Sequence, residues 1–164
     1  MGHEGSYLWR LRQDVGPRLL LVPGAQVIAL DDDGGALFQR RADTGVWEFP
    51  GGGAEPGQDF RAVAAAELSE ETGLQADPQS LIPFASLSDP AYHELEYPNG
   101  DRVHAFALCF VWPGAGGSLR AEESEVAELA FRPVDDPPRP MSRPAARVLE
   151  LYRAYVATGA FQAG

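Results

Sequence analysis

The stretch from Gly51 to Leu74 constrains what this chain can fold into more than any other part of it. It opens with three successive glycines, continues through an alanine-rich run and closes on a further glycine, Gly73. Asp59 is a favourable N-cap residue and Gly73 a favourable residue just past a helix C-terminus, so the pattern predicts a helix over Phe60–Thr72. Three glycines in a row let backbone atoms approach a ligand closely, and we expect regular structure to stop there.

Three glutamates near the end of this helix carry the chemical information. Glu67, Glu70 and Glu71 stand at i, i+3 and i+4, which places them within about 100° of arc on a helix. Their charges repel one another, and the helix C-terminus already carries partial negative charge. A divalent cation would make these interactions favourable, and hard carboxylate oxygens suit Mg²⁺ or Mn²⁺. The alternative is a solvated acidic helix end, which is a common surface feature.

The same stretch resembles the signature box of the Nudix hydrolase family. That box reads Gly, five residues, Glu, seven residues, Arg-Glu, an aliphatic residue, any residue, Glu-Glu, any residue, Gly and an aliphatic residue. Seven of its nine defined positions agree here, and they are Gly52, Glu67, Leu68, Glu70, Glu71, Gly73 and Leu74. Two positions depart, with Gln58 in the place of Glu and Ala66 in the place of Arg. Shorter similarities extend the resemblance from about Leu19 to Leu151.

The resemblance implies an α+β fold. In that fold an α/β/α sandwich contains a mixed central sheet, the box forms a loop-helix-loop, and a helix lies at the C-terminal end. The residues agree, since strand-like runs surround the box and a last helix is expected from Ser142 to about Thr158. We expect residues 19–160 to form the domain and residues 1–18 an extension with a short helix. We also expect Tyr92–Tyr97 and Arg102–Trp112 to form a hairpin across Asn99-Gly100.

The resemblance also implies an activity, the cleavage of a nucleoside diphosphate linked to another group. Such enzymes use divalent metal while water attacks phosphorus, so the expected cofactor is Mg²⁺ or Mn²⁺. By position, the implied metal ligands are Glu67, Glu70 and Glu71 with the Gly51 carbonyl, and Glu70 is also expected to be catalytic. The family often orients the water with a carboxylate from a later loop. Four residues are candidates for this role, and they are Glu122, Glu123, Glu125 and Glu128. Of these we favour Glu125.

The two departures from the box leave a second class of function open. Ala66 cannot hold a glutamate by a charge-assisted bond as Arg would, and Gln58 keeps hydrogen bonding but loses a charge. We therefore expect weaker metal affinity and slower turnover than a complete box would give. The alternative is a Nudix-fold module that binds or senses a nucleotide without efficient cleavage. A structural domain with an incidental acidic helix is a third reading, and it predicts no stabilisation by the metal.

Residues on the substrate side are less specific. Arg40 and Arg41 end a strand that leads towards the glycines, and guanidinium groups suit phosphate oxygens. Because neighbouring strand residues face opposite ways, one of the two arginines can instead face solvent. Gly52 is expected to lie against the substrate. Three aromatic residues are candidates for stacking on a base, although each also suits the core or the sheet surface: Trp47, Tyr92 and Tyr97.

Composition excludes several other classes of protein. The formal net charge is -11, with 24 acidic residues against 13 arginines, so a basic face for polymeric nucleic acid is not expected. The single Cys109 allows no internal disulfide, and we expect it to be inert core. No apolar run approaches the roughly 18 residues of a membrane span, and the sequence lacks a signal pattern, so we expect a cytoplasmic protein. A homodimer is an expectation by analogy with the family.

Overall fold

The structure is a computed structural model that describes residues 4–97 and 99–164. Four α-helices lie in the described residues, and they are α1 Tyr7–Val15, α2 Phe60–Thr72, α3 Pro90–His93 and α4 Arg143–Thr158. The strands are β1 Leu20–Leu30, β2 Ala36–Arg41, β3 Trp47–Glu48, β4 Gly51–Gly53, β5 Ile82–Leu87, β6 Glu94–Glu96, β7 Arg102–Pro113, β8 Val126–Arg132 and β9 Gln162–Ala163. None of the helices within these ranges is long and apolar enough to cross a membrane.

The strands form one mixed sheet. Its main path runs β3-β2-β1-β7-β5-β9, while β4 pairs with β1, β6 with β7 and β8 with β2. The long central strands β1 and β7 are parallel over their whole length, from Leu20 opposite Val103 to Leu30 opposite Pro113. The β5–β9 pair is also parallel, whereas the other strand pairs are antiparallel. A mixed sheet of this kind can be covered on both faces.

Two cores cover the two faces of the sheet, so the molecule is an α/β/α sandwich. One core contains Val63, Ala64 and Leu68 of α2 packed with β1 residues such as Val27 and Ala29. The other contains the apolar face of α4, packed with Phe38 and Phe84 among others. This arrangement of a mixed sheet between helices is the expected α+β fold.

The helix that carries the three glutamates has the predicted bounds. The Asp59 side chain accepts a hydrogen bond of 2.9 Å from the Ala62 N–H, which satisfies a free donor of the first turn. Gly73 adopts the left-handed conformation with φ of 78° and ends the helix, its N–H donating to the Ser69 carbonyl. These two caps fix which residues of α2 point towards the glycines.

Two local predictions were wrong. The glycines do not end regular structure, because Gly51–Gly53 forms strand β4 along β1. The pairing is so close that a Cβ on Gly24 would lie 2.5 Å from the Gly52 carbonyl oxygen, and one on Gly51 would lie 2.9 Å from the Gln26 Cα. Glycine is therefore what allows the strand. The hairpin also begins later than predicted, because Tyr92 and His93 lie in α3, which Asp89 caps.

Candidate functional site

A cavity of about 710 Å³ opens beside strand β4. One end is lined by the glycines of β4, the last turns of α2 and the residues just before β8. The other end is lined by α1, the first half of β1 and the β6–β7 hairpin. The volume is within the range of about 300–1,000 Å³ that is usual for small-molecule sites. The cavity therefore has an acidic end and an apolar end.

Glu67 lies against the glycine strand at the acidic end. A Cβ added to Gly52 would stand 2.5 Å from the Glu67 Cδ, so only glycine leaves room for this carboxylate. Burial, followed by the nearby charges of Glu70, Glu125 and Glu55 in that order, raises the pKa of Glu67 to about 7. The half-buried Glu67 thus has acidic neighbours, and a cation would relieve the repulsion among them.

Glu71 is buried near Glu67 and is held by neutral donors. Its Oε2 accepts a hydrogen bond of 2.9 Å from the Gly51 N–H, and the Gln39 side chain also hydrogen-bonds to it. Burial nevertheless raises the pKa of Glu71 well above its ordinary value. Gln39 is 1% exposed, and within the described residues its Oε1 has no hydrogen-bond partner. The Gln39 side chain, on β2, therefore contacts the acidic cluster, which comprises Glu67, Glu70, Glu71 and Glu125.

The remaining acidic candidates differ in position. Glu70 is exposed and lines the cavity, and so is Glu125, which lies just before β8. Glu128 instead pairs with Arg40, with Nη2 and Oε2 3.0 Å apart. Glu122 accepts hydrogen bonds from Ser124 and from the Glu125 N–H, which shapes the turn ahead of β8. Of the four loop acids considered, Glu125 is the one that lines the cavity.

The two arginines that end β2 point to different places. Arg41 lines the cavity, where its guanidinium pairs with Asp43 at 2.7 Å and with Glu48 at 3.1 Å. The hydrogen bond from Arg41 lowers the pKa of Asp43 to about 2, whereas burial raises the pKa of Glu48 despite the same guanidinium. Arg40 lies outside the cavity lining, with its guanidinium 5.9 Å from the centre of the Trp47 ring. Strand alternation accounts for this difference.

Both departures from the Nudix box line the cavity. Ala66 presents a methyl group where the box would have a guanidinium. The Gln58 Oε1 accepts a hydrogen bond of 2.9 Å from the Glu55 N–H. This hydrogen bond closes the turn ahead of α2, so the Gln58 oxygen is used there and not at the glutamates. Neither residue brings positive charge to the glutamates.

The donor set fits a hard divalent cation in chemistry. Carboxylate oxygens and a glycine-strand carbonyl are the ligands that Mg²⁺ and Mn²⁺ prefer. Glu67 lies half-buried against the glycine strand and the nearby Glu71 is buried, and a cation among these carboxylates would offset the cost of placing them together. Within residues 4–97 and 99–164, no three acidic, His or Cys side chains already converge as a finished ligand set. Side-chain rotation would therefore accompany binding.

Several residues around the cavity were not singled out from the sequence. Trp9 of α1 lines the apolar end, and Gln39 hydrogen-bonds to Glu71. His93 is buried, and its Nε2 lies 3.3 Å from the Gln26 amide nitrogen while its Nδ1 lies 3.0 Å from the Leu87 carbonyl oxygen. The Gln26 amide nitrogen can only donate, so Nε2 accepts and Nδ1 carries the proton. No spacing signal marked these residues, because each depends on a contact that is distant in sequence.

The three aromatic candidates for base stacking also separate. Trp47 is buried in the core, and Tyr92 packs beneath the guanidinium groups of Arg143 and Arg147. Tyr97 lines the cavity. Cys109 is buried, and burial raises the pKa of its thiol to about 12, as expected of inert core.

Comparisons with known proteins agree with this geometry. A model of the NUDIX domain matches residues 20–152. The chain is 34% identical over 131 residues to an RNA pyrophosphohydrolase of Roseobacter denitrificans, a match that covers 73% of this chain and 81% of that protein. It is 36% identical over 62 residues to a Xenopus laevis protein named nucleoside diphosphate-linked moiety X motif 6, covering 36% of this chain and 29% of that protein.

Solved structures share the fold. The MutT NUDIX hydrolase from Burkholderia pseudomallei superposes with a TM-score of 0.66 at 20% identity, over 80% of this chain and 97% of that one.

The matched stretch spans about a third of the length of the first curated relatives, between 29% and 38%. The domain match extends over most of the chain and includes the whole acidic cluster. The chain belongs to the NUDIX family, with a MutT-like box that departs at two positions.

Proposed function

We propose that the protein is a metal-dependent hydrolase that cleaves the diphosphate linkage of a small nucleoside diphosphate derivative. The substrate class includes nucleoside triphosphates, ADP-ribose and nucleotide sugars. The observation that carries the proposal is the meeting of the glycine strand β4 with Glu67, Glu70, Glu71 and Glu125 at one end of a cavity. The family match and the names of the relatives support a diphosphohydrolase in particular.

The cation-binding residues in this proposal are Glu67, Glu70 and Glu71 with the carbonyl oxygen of Gly51. A bound Mg²⁺ or Mn²⁺ would supply charge neutralisation at the phosphate oxygens and a lower pKa for bound water. The protein contributes the fixed positions of these groups. Gly51 N–H and Gln39 hold Glu71 from behind, while the glycine strand leaves space for the Glu67 carboxylate.

The other residues act on the water and on the phosphates. Glu125, which lines the cavity, would orient the attacking water and accept its proton. Arg41 offers a guanidinium to the phosphate oxygens, and Gly52 allows the substrate to come close to the backbone. We assign the phosphate contact to Arg41 rather than Arg40, because Arg41 lines the cavity and Arg40 does not.

A small substrate fits the charge of the molecule better than a polymer does. With a net charge of -11, the surface would repel the backbone of a long nucleic acid. The relative from Roseobacter denitrificans is named an RNA pyrophosphohydrolase, so the 5′ end of an RNA belongs among the compounds tested. We expect free nucleotides to be cleaved in preference to it, and we expect this preference to grow as the salt concentration falls.

The test is a panel of compounds incubated with Mg²⁺ or Mn²⁺. It contains nucleoside triphosphates, ADP-ribose, UDP-sugars and a 5′-triphosphorylated RNA, and released phosphate, pyrophosphate and monophosphate are measured. Glu67→Gln and Glu125→Gln should each lower kcat by at least about a hundredfold. Glu123→Gln, an exposed acid in the same loop, is the matched control and should retain activity. Equal rates in all of these variants would refute the proposal.

The alternative, a module that binds nucleotide without efficient cleavage, rests on Ala66 and Gln58. Activity of the wild type in the panel separates the two, and Ala66→Arg tests the effect of the missing arginine, since an arginine four residues before Glu70 would add a charge-assisted bond to the cluster. If the wild type is already an enzyme, the variant should bind Mn²⁺ more tightly and turn over faster. If the wild type binds nucleotide and cleaves nothing in the panel, the binding module is the correct assignment.

A further inference from the structure

Helix α1 lies outside the stretch that matches the NUDIX domain, yet it lines the cavity. The domain match begins at residue 20, whereas α1 spans Tyr7–Val15. Leu8, Trp9 and Leu11 of this helix line the apolar end. The β6–β7 hairpin also contributes Leu95 and Val103 to the lining, together with Tyr97, which follows β6. The apolar end is thus built by two segments that meet over the start of β1.

We propose that α1 forms one wall of the subsite for the nucleobase, and that Trp9 stacks on the base and determines which nucleotides are accepted. This inference rests on the proposed function, because it names where the organic part of that substrate lies. A nucleoside diphosphate has a charged diphosphate at one end and a planar base at the other. The cavity has the same two kinds of chemistry at its two ends, in one continuous space.

The wall is held firmly enough to select a ligand. The Arg12 side chain is 6% exposed; its guanidinium donates to the carbonyls of Gly16, Arg18 and Arg102, and it lies 3.6 Å from an Asp101 oxygen. These contacts attach the C-terminal end of α1 to the start of β7. A helix fixed in this way presents its aromatic residue to the cavity with little conformational freedom left to lose on binding.

The other end of α1 is attached to the turn that follows the glycine strand. Glu55 Oε1 accepts a hydrogen bond of 2.7 Å from the Tyr7 N–H in the first turn, where the helix dipole favours a negative charge. Its second oxygen lies 3.7 Å from the Arg10 guanidinium. Glu55 is also one of the charges that raise the pKa of Glu67. The base wall and the acidic cluster are therefore tied to the same short turn.

Trp9 is the tryptophan suited to stacking. The chain has three tryptophans. Trp47 is 7% exposed in one core, and Trp112 packs against the other. Trp9 is half-buried and lines the cavity, so it is the tryptophan that a ligand in the cavity can contact. Stacking on an aromatic residue suits a base because every base has a π-face, and it contributes to binding without a specific hydrogen bond.

The experiment compares a probe with a base and a probe without one. The affinities of GDP and of inorganic pyrophosphate are measured by calorimetry with Mg²⁺, for wild type, Trp9→Leu and Trp9→Phe. Trp9→Leu should weaken GDP binding by about tenfold, the size of one lost stack, and leave pyrophosphate binding within about twofold. Trp9→Phe, which keeps a ring, should stay close to wild type. Phe161→Ala, which removes an exposed aromatic ring that is not part of the cavity lining, is the control and should change neither affinity.

Tryptophan fluorescence provides a second test, which does not depend on a disruptive substitution. GDP should change the tryptophan emission of the wild type, and Trp9→Phe should lose that change, since Trp47 and Trp112 do not line the cavity. Unchanged GDP affinity in Trp9→Leu, or an equal loss for GDP and pyrophosphate, would overturn the base subsite. If the panel shows no hydrolysis while the GDP-specific loss persists, the subsite stands and the proposed activity fails.

Discussion

Replacing Glu67 by glutamine should stabilise the protein when no metal is present. Burial and acidic neighbours raise the pKa of Glu67 from its ordinary value of 4.5 to about 7. Because the folded state then holds its proton more tightly than the unfolded state, the folded state loses stability as pH rises above 4.5, and the loss is complete above about pH 7. At 1.36 kcal/mol for each pH unit, the cost at pH 8 is of the order of 3 kcal/mol.

The glutamine variant has nothing to ionise, so it escapes this cost. For a chain of this size, 1 kcal/mol corresponds to about 2–4 °C in Tm, so Glu67→Gln should melt roughly 6–12 °C above wild type at pH 8. Near pH 4.5 the two proteins should melt within about 2 °C of each other, because Glu67 is then protonated in the folded state and only half ionised in the unfolded state, so little of the cost has developed. The assay is thermal unfolding followed by circular dichroism in the presence of a chelator.

Metal should reverse the order of the two proteins. A cation that binds only the native state raises the Tm, so on the proposed function Mn²⁺ should raise the Tm of wild type and leave Glu67→Gln nearly unchanged. Glu123→Gln, which removes one exposed acid of the same sign, controls for net charge and should shift the Tm little. A variant that is no more stable than wild type at pH 8 without metal would refute the reasoning, since Glu67 would then carry no buried charge to relieve.

Three further substitutions test separate parts of the structure. Gly52→Ala should lower kcat with Mn²⁺ by at least about tenfold, because the added Cβ must displace the Glu67 carboxylate; an unchanged rate would show that the close approach is unimportant. Gln39→Leu should weaken Mn²⁺ binding in calorimetry by about tenfold, since Glu71 loses a hydrogen bond of about 1.5 kcal/mol. Equal Mn²⁺ affinity in the two proteins would show that Gln39 does not support Glu71 for metal binding. Arg12→Leu should reduce the free energy of unfolding, measured in urea, by about 3 kcal/mol, because the nearly buried Asp101 carboxylate loses its ion-pair partner. A loss below about 1 kcal/mol would contradict the anchoring of α1.

Much of the acidic half of the site follows from local sequence. Asp59 and Gly73 fix the ends of α2, so the spacing of the glutamates translates directly into positions on one helix face. The sequence could not predict the burial of Glu71 or the exposure of Glu70, because burial depends on what packs against the helix. It also could not predict strand β4, since the pairing that glycine allows there is made with β1, more than twenty residues earlier.

The apolar half of the site was much less predictable. Trp9 is separated by more than eighty residues from the hairpin that lines the same cavity, and no periodicity connects the two. Among the aromatic residues singled out, Trp47 and Tyr92 met the alternative expectation and pack in or against the core. A tertiary contact decided each case. The residue types of a stacking surface also serve the core, so composition cannot separate the two uses.

The loss of the box arginine has a consequence for how the acidic cluster is balanced. Glu71 keeps its orientation through two neutral donors, the Gly51 N–H and Gln39, so Ala66 does not leave it unsupported. Neutral donors supply hydrogen bonds, but they supply no net charge against the repulsion around Glu67. In this chain a bound cation would therefore provide nearly all of the compensating charge, where a complete box would share that role with arginine. It follows that folding stability and metal occupancy should be coupled more strongly here than in a NUDIX protein with arginine at this position.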